Sequence, residues 1–380
     1  MAIPQGDVEA RSDPSGAAAP RVFAPLPVTQ AERLKAALAA VGVVVLACTA
    51  YLLGPDPAGM RDRLYGSQAF SFTGSRFLIA ACTFYAVLLA PYCWCFVDPA
   101  ASKPLRCLRV ALRFARSPRA LLAQPLDRED RVAVLSTLLK MFFAPLMVLQ
   151  LMVFCVGAWL NGLALLHGTA GDGGFRTLFD RYGFWLSMQI ILFIDVLIFT
   201  FGYLVESPRL HNRIRSVDPS LFGWLVVLLC YPPFNIATGW MFGPAVTEFP
   251  QFSNTTTHVV MNVLLLLLMA VYASASVAMG WKASNLTYRG MVTRGPYAVV
   301  RHPAYTCKNL AWWIGALPAI AAAFERSIAA GLWVIASVVA TSMLYALRAL
   351  TEEDHLRKVS GGEYAAYAAR VRWRFVPGIY

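Results

Sequence analysis

The sequence predicts an all-α fold: a polytopic membrane helix bundle of about eight transmembrane helices, ending in a helical hairpin and a cytoplasmic tail. Two observations carry this prediction. Hydrophobic residues make up 58% of the 380 residues and charged residues only 14%, whereas a soluble domain carries about 25% charged residues. The apolar residues also gather in runs of about 18 or more, which is the length that crosses a bilayer as a helix.

Eight apolar segments follow one another along the chain. They are expected at residues 36–53, 76–96, within 137–166, 184–205, 220–242, 258–279, 309–324 and 328–347. Only Glu325 and Arg326, with a little flanking sequence, separate the last two segments, so these should form an antiparallel hairpin. The first arm of this hairpin is near the lower length limit of a transmembrane helix, so we expect it to be tilted or partly buried in protein.

Composition divides the chain into three regions. Residues 1–30 are rich in Ala, Pro and Gly and are expected to form a flexible cytoplasmic tail, not a secretory signal. Residues 31–257 should form the N-terminal membrane helices, and residues 258–380 a C-terminal membrane module that contains the candidate ligand site. Within 98–135 arginines recur every three to four residues, which predicts an amphipathic helix on the inner leaflet, most simply as a surface anchor.

The positive charges predict the topology. If both termini are cytoplasmic, 26 of the 33 Lys and Arg residues fall on the cytoplasmic side, as the positive-inside rule requires. We therefore expect an integral, multi-pass membrane protein with both termini in the cytoplasm. Topology and attraction to anionic membrane lipids account for the net charge of +12, so nucleic acid is not an expected partner. The sequence leaves the oligomeric state open.

The eight cysteines mostly lie inside apolar runs. They form no C-x-x-C pair and no Cys/His spacing typical of a metal site. Small buried thiols are the expected result, with neither a structural disulfide nor a bound metal.

Two polar stretches could carry chemistry, and both are expected on the cytoplasmic side. The first covers residues 282–308 and includes Gly295-Pro296-Tyr297 and Arg301-His302-Pro303-Ala304-Tyr305. The second begins at Arg348 and continues through Glu352 and Glu353. Because the predicted hairpin returns the chain to the same membrane face, side chains of the two stretches should be able to meet.

The residue types in these stretches suit a two-part ligand site. His302 offers a hydrogen-bond donor or acceptor, and the tyrosines offer aromatic faces and hydroxyls. Glu352 and Glu353 can accept hydrogen bonds from a ribose or an amino group, and Arg348 can hold an anion with a forked pair of hydrogen bonds. Each residue alone also has an ordinary explanation, such as a solvated helix start, a positive-inside anchor or a loop histidine.

The order of motifs resembles a known family. G-P-Y, R-H-P-x-Y, two hydrophobic helices, R-x-x-x-E-E and G-x-E-Y-x-x-Y-x-x-R-V are similar to the membrane-embedded isoprenylcysteine carboxyl methyltransferases and phospholipid methyltransferases. The resemblance covers roughly residues 282–380. It implies an S-adenosyl-L-methionine cofactor in a pocket closed by the C-terminal tail, with a lateral opening for a lipid-like or prenylated methyl acceptor.

The resemblance also implies a role for individual residues. Cofactor contacts are expected from Met291, Val292, Tyr297, His302, Pro303, Tyr305, Glu352 and Glu353. Arg348 matches the position that handles the acceptor, and His302 is the second catalytic candidate. An amine or thiol acceptor would need a base, for which His302 and Glu353 are the nearest groups. No metal is implied, because the sulfonium is already activated.

Three features leave the acceptor open. The first five predicted helices and the basic loop exceed the minimal fold of that family, and the Tyr305–Asn309 stretch lacks the Gly that commonly follows R-H-P-x-Y.

The C-terminal Pro377-Gly378-Ile379-Tyr380 is similar to the C-terminal sequences of membrane sterol reductases, which makes an NADPH-dependent reductase the main alternative function. A non-catalytic membrane protein or transporter is the second alternative. Asp195 is an acid within spans that are otherwise almost free of acids, so loss of function in Asp195→Asn but not in Glu352→Ala would favour this alternative.

Overall fold

The computed structural model describes residues 28–56, 59–66, 71–119, 126–168, 174–242 and 247–379. The predicted tail at 1–30 therefore lies almost wholly outside the described residues. The described helices are α1 (Gln30–Leu53), α2 (Gly74–Phe96), α3 (Lys103–Arg116), α4 (Arg128–Gly168), α5 (Phe175–Leu204), α6 (Leu221–Leu228), α7 (Asn235–Phe242), α8 (Thr255–Met279), α9 (Pro303–Arg326), α10 (Ile328–Val359) and α11 (Glu363–Arg370).

Two small antiparallel sheets connect these helices. Strand β1 (Leu64–Gly66) pairs with β2 (Ser71–Thr73) between α1 and α2. Strand β3 (Ser216–Val217) pairs with β4 (Thr287–Tyr288) and so joins the segment after α5 to the segment after α8. The second sheet matters for function, because it fixes the beginning of the first polar stretch.

Six of the described helices are long and apolar enough to cross a membrane, judged by length and composition. They are α1, α2, α4, α5, α8 and α10. This confirms the predicted all-α membrane architecture and corrects the predicted number of eight transmembrane helices.

The predicted fifth span, residues 220–242, is interrupted. Helix α6 ends at Leu228 and α7 begins at Asn235, with Pro232 and Pro233 between them. Proline has no amide hydrogen and its ring clashes with the preceding helical turn, so one helix cannot continue through this pair. The flanking residues are apolar on both sides, which is why hydrophobicity alone predicts an unbroken helix here.

The predicted hairpin is present, with a longer first arm than expected. Helix α9 begins at Pro303, where proline suits the first helical position, and extends six residues before the predicted start. Lys308 and Glu325 interrupt its apolar run near the two ends, and it is not among the six helices above. Ser327 alone separates α9 from α10, and the two helices pack against each other.

Helix α5 is shared between two of the apolar cores. On one side it packs on α4, where Phe143 and Tyr203 stack with ring centroids 5.2 Å apart. On the other it packs on α8 and α9, where Phe184, Leu265 and Ile314 are buried together. Such close side-chain packing is what holds helices together in lipid, where the hydrophobic effect is weak. Helix α5 therefore ties the N-terminal helices to the C-terminal module.

The predicted amphipathic segment contains a 14-residue helix, α3. Its basic face is partly used inside the protein, because Arg106 and Arg113 form ion pairs with Glu129 and Asp130 in the first turn of α4. Acidic side chains in that turn also suit the positive end of the α4 dipole. The helix therefore docks on α4 as well as presenting exposed apolar residues such as Leu112.

A buried carboxylate connects α3, α4 and the end of α5. Glu206 accepts hydrogen bonds from Lys103, from Lys140 (2.9 Å) and from the Ile214 amide (2.9 Å). Burial opposes ionisation of Glu206, but Lys140 and Lys103 outweigh it and hold its pKa well below the usual range. Burial lowers the pKa of Lys103 to about 8, although Glu206 counteracts the shift.

The chain approaches itself closely where the first polar stretch begins. A Cβ at Gly202 would lie 1.9 Å from the Ala283 carbonyl oxygen, so only glycine fits at this point of α5. The Arg289 guanidinium is buried beside it and donates to the carbonyls of Gly202 (2.8 Å) and Asn212 (2.9 Å). These contacts anchor the start of the candidate site to α5.

Candidate functional site

One cavity of about 200 Å³ lies where the two polar stretches meet. Seven of the nine predicted site residues line it: Met291, Val292, Tyr297, His302, Tyr305, Arg348 and Glu352. Pro303 and Glu353 are buried and do not line it. The hairpin thus brings together residues from both stretches around a single space.

One direct link between the stretches is a hydrogen bond across the hairpin. The Tyr305 hydroxyl donates to Oε1 of Glu352, 47 residues further along the chain. His302 stacks on Tyr305 with ring centroids 5.6 Å apart and an interplanar angle of 6°. Helix α9 begins at Pro303 and α10 returns beside it. Tyr305, in the first turn of α9, therefore faces the last turns of α10.

Arg348 occupies the cavity wall next to this link. It donates from Nε to Glu352 (3.3 Å) and from Nη2 to the Asn285 side-chain oxygen. Its guanidinium carbon lies 5.0 Å from the Tyr305 ring centroid and 5.6 Å from that of Tyr231. Stacking on aromatic rings and pairing with a carboxylate hold the planar group in one orientation.

Glu353 lies outside the cavity, at the centre of a buried ion cluster. Its carboxylate contacts Arg301 (3.1 Å), His302 (3.1 Å), Arg357 (3.0 Å) and Arg374 (3.1 and 3.2 Å), and its side chain is fully buried. These partners already surround both oxygens. Glu353 was predicted to contact the cofactor. In this geometry it joins α10, the R-H-P-x-Y loop and the C-terminal segment instead.

His302 is oriented by the same cluster. Its Nε2 lies 3.1 Å from Glu353 Oε1, and an ionised carboxylate can only accept hydrogen bonds. The neutral imidazole therefore carries its proton on Nε2 and leaves Nδ1 as an acceptor. Any proton transfer by His302 in this arrangement would use Nδ1.

The C-terminal segment covers the R-H-P-x-Y loop. The amides of Arg301 and His302 donate to the carbonyls of Trp373 (2.9 Å) and Arg374 (3.0 Å). Thr306 Oγ1 donates to the Phe375 carbonyl (3.0 Å). The segment is thus hydrogen-bonded along the loop that carries two of the cavity residues, His302 and Tyr305.

Helix α11 contributes to the cavity wall. Tyr364, Tyr367 and Val371 form a buried cluster against Met291, and the Tyr367 hydroxyl donates to the Tyr297 carbonyl (2.7 Å). Burial raises the pKa of Tyr364 to about 12, so this hydroxyl stays protonated at neutral pH.

Residues 289–292 line the cavity together. Gly290 has a φ of +104°, which a residue with a side chain rarely adopts. Burial, followed by the charge of Glu352, raises the pKa of the neighbouring Tyr297 above its usual value, so Tyr297 acts as a neutral phenol.

Sequence reasoning missed several cavity residues. Asn285, Tyr231, Tyr272, Tyr345 and Lys308 line the space but belong to none of the motifs. Helical spacing was the available signal for two of them: Lys308 follows Tyr305 by three residues, and Tyr345 precedes Arg348 by three, so each pair shares a helix face. Asn285 belongs to the first polar stretch but to no motif, and Tyr231 and Tyr272 come from segments whose approach only the fold reveals.

Asp195, the acid noted within the spans, lies beside this site. Its carboxylate accepts hydrogen bonds from Tyr272 (2.8 Å) and from Ser276. Both partners are on α8 and line the cavity, whereas Asp195 itself is buried on α5. The acid therefore joins two helices at the cavity wall.

Comparison with known proteins matches part of the chain. Residues 225–371 match the model of a family described as "Protein of unknown function (DUF1295)". The match covers less than half of the chain, yet it contains all nine predicted site residues and both arms of the hairpin. A comparison with curated proteins finds no match. The description names no activity, so the chemistry has to be argued from the site.

Proposed function

We propose that the chain is an S-adenosyl-L-methionine-dependent methyltransferase that acts on a lipid-like or prenylated acceptor at the cytoplasmic membrane face. One observation carries the proposal: the R-H-P-x-Y and R-x-x-x-E-E segments meet around one cavity, joined by the bond from Tyr305 to Glu352. The resemblance to the isoprenylcysteine carboxyl methyltransferases supplies the reaction. The geometry supports it by bringing the matching residues together.

The residues around the cavity fit the polar groups of this cofactor. Glu352 is partly exposed there, at 26% of its side chain, and can accept hydrogen bonds from ribose hydroxyls or an amino group. Its charge also favours a nearby sulfonium. When bound, the cofactor supplies the activated methyl group, and Glu352, Tyr297 and the backbone at residues 290–292 would hold it.

Arg348 would orient the acceptor. Its guanidinium has five N–H donors, and among the described residues Asn285 and Glu352 take two of them. The remaining donors could grip an acceptor carboxylate, which needs no proton removed before methylation. An amine or thiol acceptor would need a base, and Nδ1 of His302 is a candidate because, among the described residues, only Nε2 of that ring is hydrogen-bonded.

The reductase alternative also has an observation in its favour. Lys282, Lys308 and Arg348 line the cavity, and such an excess of cations would suit the phosphates of NADPH. The binding of the two cofactors therefore separates the two proposals.

A carboxylate substitution tests the methyltransferase proposal. We expect Glu352→Gln to weaken S-adenosylhomocysteine binding at least tenfold, because the neutral amide loses charge and acceptor capacity. The measurement is calorimetric titration of the detergent-purified full chain. Asp354→Asn is the matched control, since Asp354 is two residues away, exposed, and paired only with Lys358 among the described residues. Equal binding by both variants would contradict the role of Glu352.

A further inference from the structure

Lys308 projects from α9 into the cavity, about one and a half turns inside the helix. Its Nζ lies 5.5 Å from the Tyr272 ring centroid, 5.3 Å from that of Trp312 and 5.6 Å from that of Tyr345. Three aromatic faces thus hold the ammonium group in place. Such a ring cage fixes a cation but supplies no oxygen to accept its N–H groups.

Within the described residues, Lys308 Nζ has no hydrogen bond and no carboxylate within 4.0 Å. Asp195 is the acid that acts on it through space, but the Asp195 oxygens accept from Tyr272 and Ser276. A lysine ammonium has three donors, and a charge away from bulk water is costly unless it is paired. Lys308 therefore presents a fixed positive charge with unused donors toward the cavity.

Arg348 lies on the same ring as Lys308. Its guanidinium carbon is 5.8 Å from the Tyr345 ring centroid, against 5.6 Å for Lys308 Nζ. Like charges on one ring repel each other, and among the described residues Glu352 pairs with Arg348 alone. An anion placed between them would satisfy donors from both and remove that repulsion.

We propose that Lys308 and Arg348 form an anion-binding subsite, and that the hydrophobic ligand of this protein carries a carboxylate or phosphate held there. The subsite deepens the proposed function and rests on it only in taking this ligand to be the methyl acceptor. Arg348 is fixed by Glu352 and Asn285, whereas the donors of Lys308 are free. Lys308 is therefore the residue that selects for charge on the acceptor.

The test compares charged and neutral amphiphiles of one chain length. The probes are palmitic acid, palmityl phosphate and methyl palmitate, and their binding to the detergent-purified full chain is measured by native mass spectrometry. The variants are Lys308→Met, Lys308→Arg and, as a matched control, Lys282→Met, which removes another lysine of the same cavity. S-adenosylhomocysteine affinity is measured for each variant.

We expect Lys308→Met to weaken binding of at least one anionic probe tenfold or more and to leave methyl palmitate and S-adenosylhomocysteine affinity within twofold. Lys308→Arg, which keeps the charge, should retain binding even if the methionine variant does not fold. The anionic probe that binds more tightly identifies carboxylate or phosphate as the preferred group.

Three results would overturn the subsite. They are equal losses for charged and neutral probes, equal losses in the Lys308→Met and Lys282→Met variants, and a tenfold loss of S-adenosylhomocysteine affinity on substitution of Lys308, which would place the cofactor's own carboxylate there. Selective loss of an anionic probe in a chain that does not bind S-adenosylhomocysteine would leave the subsite standing and remove the proposed reaction.

Discussion

At the scale of single residues, two adjacent glutamates have different surroundings. Glu352 faces the cavity, while Glu353 is enclosed by Arg301, His302 and Arg374. Neighbours on a helix point about 100° apart, so one can face a ligand while the other is buried. The carboxylate that holds the loop and the C-terminal segment in place is therefore distinct from the one available to a ligand.

Glu353→Gln should destabilise the protein strongly. Removing the charge leaves two largely buried guanidinium groups, those of Arg301 and Arg374, without their partner, and breaking a buried ion pair costs about 3–5 kcal/mol. Thermal unfolding in detergent measures the change, with Asp354→Asn as the exposed control on the same helix. A Glu353→Gln variant as stable as that control would contradict the structural role of the cluster.

The sequence predicted most of the cavity wall but not which of the two glutamates faces the cavity. Seven of nine predicted residues line the cavity, because the motifs mark residues close to one another in two segments. Whether a given side chain faces a ligand depends on helix rotation and on partners far along the chain. Arg374 is such a partner, and no local pattern connects it with Glu353.

At the scale of elements, the helical hairpin was predictable and the broken fifth span was not predicted. Glu325 and Arg326, the last two residues of α9, are visible in the sequence, and so are Pro232 and Pro233. Apolar residues surround the proline pair, so hydropathy predicted an unbroken span. Proline inside a helix is nevertheless a stronger signal than mean hydropathy. Lys308 was not predicted to lie on a helix, because α9 begins six residues before its apolar run.

The burial of Lys103, the first residue of α3, predicts how stability depends on pH. The pKa of Lys103 is about 8 in the folded protein and 10.5 ordinarily, so between these values the unfolded chain binds more protons. Stability contributed by this residue should therefore rise with pH across that window. The measurement is the difference in unfolding temperature between the native chain and Lys103→Met from pH 7 to pH 10, and a difference that falls with pH would contradict it.

At the scale of the whole molecule, six described helices are able to cross a membrane, and the candidate site lies at one end of the bundle. Helix α5 joins the N-terminal helices to the C-terminal module by packing on both. A water-soluble cofactor and a hydrophobic acceptor can meet only where the two phases meet. The position of the cavity near the beginning of α9 and the end of α8 suits that requirement.

The charge distribution predicts the orientation of the bundle. If both termini and the site face the cytoplasm, a single cysteine introduced at exposed Lys358 in a cysteine-free background should react with a membrane-impermeant maleimide only after the cytoplasmic side is opened. A cysteine at exposed Phe175, expected on the opposite side, should react in intact cells. The reverse pattern would invert the topology and place the site outside.

The central claim is that the cavity binds an S-adenosyl cofactor. Its most direct test is calorimetric titration of the detergent-purified full chain with S-adenosylhomocysteine and, separately, with NADPH. We predict saturable binding of S-adenosylhomocysteine and none of NADPH. Binding of NADPH alone would contradict the claim in favour of a reductase, and binding of neither would favour a membrane protein without this chemistry.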